Sequence, residues 1–391
     1  MHQMGGIILY TYGSPRSPER MIPTATPESG ASLPQKKPRK IHIEFLRALC
    51  IWLVMFTHSS TFGFSLYLTK QDSPWFPLYL AAPFWVKTAV PIFFMISGAL
   101  LLGRDEPISV VWKKRIWRFL QIIFIFSLIN YIFFYAVPER HFSVSRFLTI
   151  TYSANMATAY YFLYIYIAFL LMLPIWRVLV RSLTNKLYLY LIGLNLLFVG
   201  CIPVFSFLVF SGHNEINGFV NPLLAVSEPT FYFLTGYWIE NVLPESWITR
   251  KNLCRLGAAA LAGTVIAAAM TWYHGYVAGA LTEQISERFY DSFLFLNTAF
   301  VFCAARYWFA HHTLSDTWRR RWIFLGSMAF GVMLFEEITR AVTRPFLTRI
   351  LLPHLPAIPF LDAVLWITAA FLLGVIITYF LKKIPYFKKL I

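Results

Sequence analysis

The stretch Ile41–Ser60, IHIEFLRALCIWLVMFTHSS, decides how the chain is read. It has the length and apolar content of a membrane helix, yet it carries Glu44, Arg47 and His58. An ionisable side chain at bilayer depth costs at least ~2.5 kcal/mol on the most lenient scale, so such groups mark functional positions by default. Arg47 and His58 are separated by about three helical turns plus ~20°, so they share one face, with a rise of roughly 16 Å between them. One helix thus presents a permanent cation near one membrane surface and a titratable base much deeper.

The rest of the chain agrees with a membrane setting. Of 391 residues, 58% are hydrophobic and only 13% charged, too few charges to cover a soluble protein of this length. Apolar runs of about 20 residues recur and do not alternate, which predicts an all-α polytopic membrane protein rather than a β-barrel. An aromatic content of 18% fits interfacial belts and packed helices. The net charge of +16 resembles that of a nucleic-acid binder, but the basic residues cluster at helix ends, so no nucleic acid is expected. Cys50, Cys201, Cys254 and Cys303 are scattered without metal spacing and read as packing residues; no metal site is expected. His311-His312 reads as surface.

Residues 1–40 are rich in Pro, Ser and Thr and read as a disordered basic cytoplasmic tail. Ten spans follow, at 41–60, 84–102, 119–137, 160–176, 187–210, 222–242, 253–277, 292–310, 322–342 and 360–381, inside a membrane domain of 41–385. A short basic tail, 386–391, follows it. Alternate connecting segments hold 23 Lys and Arg on one side and 6 on the other, which predicts both termini in the cytosol. Span six is interrupted by Glu228 and Pro229. The outer loop Ser211–Asn221, SGHNEINGFVN, reads as solvated chain or as the lining of a sugar-binding mouth.

Depth places the chemistry. His58 lies ~17 residues above the start of span one, roughly 25 Å up, and Glu336 lies ~14 residues above the start of span nine, roughly 21 Å up. A base and a carboxylate therefore share one layer. A carboxylate accepting from one imidazole nitrogen fixes the tautomer and makes the other nitrogen a better base. The plainer alternative pairs Glu336 or Glu337 with Arg340 four or three residues on. Ser97-Gly98 in span two gives either close helix packing or room for a ligand arm. Arg115 and Arg118 share a face if helical; with Arg47 they supply guanidinium forks suited to phosphate, or they only set topology. There is no Walker motif and no GxGxxG.

Arg47-x10-His58, the run VPIFFMISGALLL, and Arg115-xx-Arg118 together resemble the acyltransferase type 3 family of membrane O-acyltransferases. The resemblance is closest to the branch that O-acetylates surface polysaccharide (WecH-like), and it extends over about 41–385. Tyr161–Pro174, Pro229–Tyr237, Ala329–Glu336 and Leu361–Ile367 are similar too. It implies His58 as catalytic histidine, with Arg47, Arg115 and Arg118 engaging an acyl-CoA donor or supporting its path; Ser97 and Tyr161 are read as further substrate-binding residues. Two stretches depart from the family pattern. Glu336 stands where a histidine is usual, and Ala159-Tyr160-Tyr161-Phe162 stands where an HLWF-like stretch is usual. No SGNH-type hydrolase domain is expected after span ten, which leaves any further transfer outside to another protein.

The sequence therefore predicts an integral-membrane O-acyltransferase of the plasma (bacterial inner) membrane. It would move an acyl group, acetyl foremost, from cytosolic acyl-CoA to a hydroxyl of a surface or lipid-linked glycan. His58 serves as general base, Glu336 as its partner, and no permanently bound cofactor is expected. The rival reading is a transporter or flippase for a lipid-linked sugar or an anion, with the internal Arg, His and Glu as substrate ligands or a proton relay.

Overall fold

The computed structural model describes residues 39–153, 155–210, 220–351, 353 and 358–391. The predicted tail up to residue 38 and residues 211–219 of the outer loop lie outside that set. Arg39–Ile391 forms one compact unit, predominantly helical and without a strand among the described residues.

Among the described residues, seven helices are long and apolar enough to cross a membrane: Phe76–Leu101, Ile108–Glu139, Thr158–Ser182, Asn185–Phe210, Arg250–Ala278, Asp316–Ile350 and Pro359–Leu381. The other three expected spans are helical but shorter or more polar. Ile41–Thr57 has 17 residues, Glu228–Tyr237 continues as a π-helical turn through Val242, and Leu294–His311 carries Asn297 and Arg306. The span expected at 222–242 is broken: Pro222–Ala225 is a 3-10 turn, and the α-helix starts at Glu228 with Pro229 in its first turn. Proline belongs there because its missing N–H is one that no helix start can satisfy.

The first helix, Ile41–Thr57, is the centre of the bundle. Leu46, Cys50, Ile51 and Met55 on it are wholly buried, and it packs against Ala89–Leu101, Leu294–His311, Asp316–Phe346 and Pro359–Leu381. Its ionisable groups therefore face protein rather than lipid, the only arrangement in which a short charged helix is tolerated at depth. It ends sooner than the apolar pattern implies. His58 is its C-cap, with φ −80° and ψ 7°, because Ser59 Oγ donates to Phe56 O at 2.6 Å and accepts from Phe64 N at 2.9 Å. Serine competes in this way with the backbone ladder.

Glycines mark two close helix approaches. A Cβ on Gly98 would collide with the carbonyl oxygen of Phe233, and one on Gly236 with that of Met95. Ala89–Leu101 and Glu228–Tyr237 thus meet backbone to backbone, the small-residue packing expected of membrane helices. Gly326 does the same for Asp316–Phe346, where an added Cβ would stand 2.6 Å from Glu44 O and 2.7 Å from its Cα. That contact clamps the Glu336 helix against the His58 helix.

The stretch expected as a basic loop at 103–118 is helical from Ile108. Val111–Ile116 forms a π-helical turn holding Lys113, Lys114 and Arg115, and Arg118 follows on the α-helix Trp117–Tyr131. Residues Pro385–Leu390 form a last short helix with Leu390 buried.

Candidate active site

His58 sits at the C-terminal end of the first helix, and Glu336 projects from Asp316–Phe346 to meet it. His58 Nδ1 lies 3.1 Å from Glu336 Oε1, and the Glu336 side chain is fully buried. An ionised carboxylate only accepts, so the neutral imidazole donates from Nδ1 and keeps its lone pair on Nε2.

Arg340, one turn beyond, donates Nε to Glu336 Oε2 at 2.7 Å and Nη2 to Oε1 at 3.3 Å. Its Nη1 donates to the backbone carbonyl of His58 at 2.9 Å. Both sequence readings of Glu336 therefore hold at once: it pairs with Arg340 and it bonds His58. A buried carboxylate needs such a counter-charge, since burial of an unpaired one costs several kcal/mol. Glu337 points elsewhere and accepts from the Thr158 backbone N–H at 3.2 Å.

A neighbouring network holds the Glu336 helix in register. Buried Tyr160 donates its hydroxyl to Leu334 O at 2.7 Å and accepts from Asn130 Nδ2 at 2.8 Å. Tyr160 is part of the stretch that departs from the family pattern, and here it ties three helices together.

Two cavities flank this centre. The larger, about 550 Å³, is lined by Arg39, Arg47, Arg104, Lys114, Arg115, Arg118 and Lys382, with Glu44 as its acid. Ser97, Phe119 and Tyr166 line its inner part. The smaller, about 50 Å³, is lined by His58, Val54, Thr57, Val90, Ala159 and Tyr161. Phe93, Phe162 and Met333 belong to both walls. Arg47, Arg115, Arg118 and Ser97 therefore share the larger cavity, while Tyr161 joins His58 at the smaller. Glu336 lies behind His58, bonded to it.

The cations of the large cavity are held in place. Arg47 reaches both oxygens of Glu44 at 3.3 Å. Arg115 makes a two-pronged contact with Glu106, at 2.6 and 3.0 Å, and Arg177 adds a third donor at 3.0 Å. These bonds, Arg115 foremost, pull the Glu106 carboxyl down to about 2. Arg118 Nε donates to Leu390 O at 2.7 Å, and Lys382 Nζ donates to Ser327 O at 2.5 Å.

Sequence reasoning did not find Arg340 as a tie to His58, nor Glu106 as the organiser of the arginines. Glu106 had a visible signal, as one of two acids in the segment 103–118 that holds five Lys and Arg. His311 and His312 are exposed, and no cluster of metal-ligating side chains occurs among the described residues.

The acyltransferase domain (type 3) matches residues 41–383. The chain belongs to the acyltransferase type 3 family. It is thus a multi-pass membrane protein of the acyltransferase class. The matched region starts at the first residue of the His58 helix and takes in every helix that lines either cavity, while Leu390, the acceptor of Arg118, lies beyond it. No curated protein and no solved structure matches the chain.

Proposed function

We propose that this acyltransferase moves an acetyl group from cytosolic acetyl-CoA to a hydroxyl of a surface or lipid-linked glycan, as in the WecH-like branch. The observation that carries this reading is the order of groups along the helices. On the first helix Glu44 and Arg47 border the cationic cavity, and Val54, Thr57 and His58 border the small one. On Ala89–Leu101 the order is Leu100, Ser97, Phe93, Val90, and on Tyr161–Ser182 it is Tyr166, Phe162, Tyr161. Arginine forks suit the phosphates and adenosine-borne charge of coenzyme A, and the roughly 16 Å from Arg47 to His58 suits its extended arm.

In this reading the basic end is cytosolic, ten helices cross the plasma membrane, and both termini are inside. The acceptor hydroxyl approaches from the Tyr161 side. His58 Nε2 takes the hydroxyl proton as the oxygen attacks the thioester carbonyl carbon. The C–S bond breaks, the coenzyme A thiolate leaves, and the imidazolium returns the proton to it. Glu336 stabilises the imidazolium, and Arg340 keeps the carboxylate in place. General base catalysis contributes roughly 10²–10⁴ in rate, and holding thioester and hydroxyl together contributes much of the remainder.

The test is transfer of label from [¹⁴C]acetyl-CoA in membranes containing wild type or His58→Ala. Loss of transfer by His58→Ala protein that still inserts and is monodisperse is expected. Transfer near the wild-type rate in that variant overturns the role of His58. Label movement across the bilayer without thioester cleavage would favour the transporter reading.

A further inference from the structure

The two cavities share part of their walls. Phe93, Phe162 and Met333 come from three different helices, and each borders both spaces. These three side chains lie where the cationic cavity meets the space at His58. The space beyond them is about 50 Å³, and Val54, Thr57, His58, Val90, Ala159 and Tyr161 complete its wall. This space is about a tenth of the cationic cavity's 550 Å³, so it takes only a small group. The acetyl group has three heavy atoms.

We propose that Phe93, Phe162 and Met333 form a sieve that admits a two-carbon acyl group to His58 and turns away longer chains. This rests on the acyl-CoA reading of the cationic cavity. The three side chains differ in stiffness. Phe162 is buried, stacks on Phe94 at 5.1 Å between ring centroids, and forms the fixed wall. Phe93 is only half-buried and meets Phe162 at 5.9 Å, tilted by 57°. Met333 is unbranched, with freely turning bonds. Phe93 and Met333 are therefore the movable parts, which swing aside for the narrow arm and close behind the acyl group. A chain of four or six carbons needs more room than the space bordered by Val54, Val90 and Ala159 gives.

The sieve predicts a change in selectivity on widening. Membranes containing wild type, Phe93→Leu, Met333→Val or Met333→Ala are given acetyl-, butyryl- or hexanoyl-CoA, and free coenzyme A is measured with a thiol reagent. Thermal stability of each purified variant reports folding, and the two mild substitutions cover the case in which Met333→Ala does not fold. Wild type is expected to prefer acetyl-CoA over hexanoyl-CoA by tenfold or more, since each misfit methylene is worth about tenfold or more. The folded variants are expected to narrow that ratio to about threefold or less. Equal use of acetyl- and hexanoyl-CoA by wild type overturns the sieve, as does an unchanged ratio in the folded variants. Failure of wild type to cleave any acyl-CoA instead removes the donor reading beneath it.

Discussion

Arg340 and His58 are joined through the backbone. The guanidinium Nη1 donates to the His58 carbonyl at 2.9 Å while the other two nitrogens grip Glu336. One cation therefore fixes both the carboxylate that orients the imidazole and the last peptide of the helix that carries it. Trp366 Nε1 donates to the Arg340 carbonyl at 3.2 Å and holds that turn against the next helix.

Replacing Arg340 with Ala leaves Glu336 buried without its counter-charge. Removing one partner of a buried pair costs about 3–5 kcal/mol. A large fall in the thermal midpoint and loss of acyl transfer are expected together. Arg340→Lys restores charge but not the three-pronged geometry, so it should recover stability better than activity. Equal recovery of both would show that geometry at the His58 carbonyl is unimportant.

Glu336→Gln keeps the shape and removes the charge. The amide still accepts from His58, but it gives an imidazolium no stabilisation and leaves Arg340 unneutralised. Acetyl transfer is expected to fall about 10²-fold or more, the scale of general base catalysis. Glu337→Gln, one residue away, should leave transfer within about threefold, because Glu337 bonds the Thr158 backbone instead. Steady-state rates for both variants in one membrane preparation test the contrast.

How far the sequence led depended on which facts were local. Helical rise alone put His58 and Glu336 in one layer, because depth along a helix is a matter of counting. The cations of the large cavity were legible for the same reason, since Arg47, Arg115 and Arg118 all lie near helix ends. The partition was not legible, because Phe93, Phe162 and Met333 sit in apolar runs where nothing separates a wall from a core. Nor was the tie from Arg340 to His58 O, which exists only because Ser59 ends the helix early and frees that carbonyl. The bridge from Glu106 to Arg177 joins separate parts of the chain, and no spacing announces it.

Glu106 ties Arg115 to Arg177 through an acid-sensitive carboxylate. Its folded-state carboxyl is held at about 2, below the ordinary 4.5, by the Arg115 and Arg177 guanidiniums. A depressed carboxyl contributes stability that is fully present above pH 4.5 and is lost as pH falls toward 2. Glu106→Gln should therefore lower the thermal midpoint at pH 7, and the gap to wild type should shrink steadily between pH 4.5 and 2. A gap that stays constant across that window would mean that the arginines do not depend on the charge of Glu106.

Three glycines test whether helix approach, rather than helix propensity, limits the fold. Gly98 and Gly326 each face a neighbouring backbone that cannot yield as a side chain would: the carbonyl of Phe233 and the Cα and carbonyl of Glu44. Alanine at either position forces the helices apart, and overpacking of this kind costs about 1–3 kcal/mol. Gly193 lies inside the helix Asn185–Asn195 with nothing within 4 Å of an added Cβ, so alanine there should gain about 0.4–1 kcal/mol by restricting the unfolded chain. The Gly326 substitution carries a further consequence. It pushes the first helix from the helix that bears Glu336, so the His58 to Glu336 bond loosens and acyl transfer should fall with stability. Gly98→Ala separates a different helix pair, and its damage to transfer at a matched loss of stability should be smaller. Thermal midpoints and acetyl-transfer rates of the three variants decide this. Equal rates for Gly98→Ala and Gly326→Ala at equal stability would show that the Glu44 contact does not set the geometry at His58.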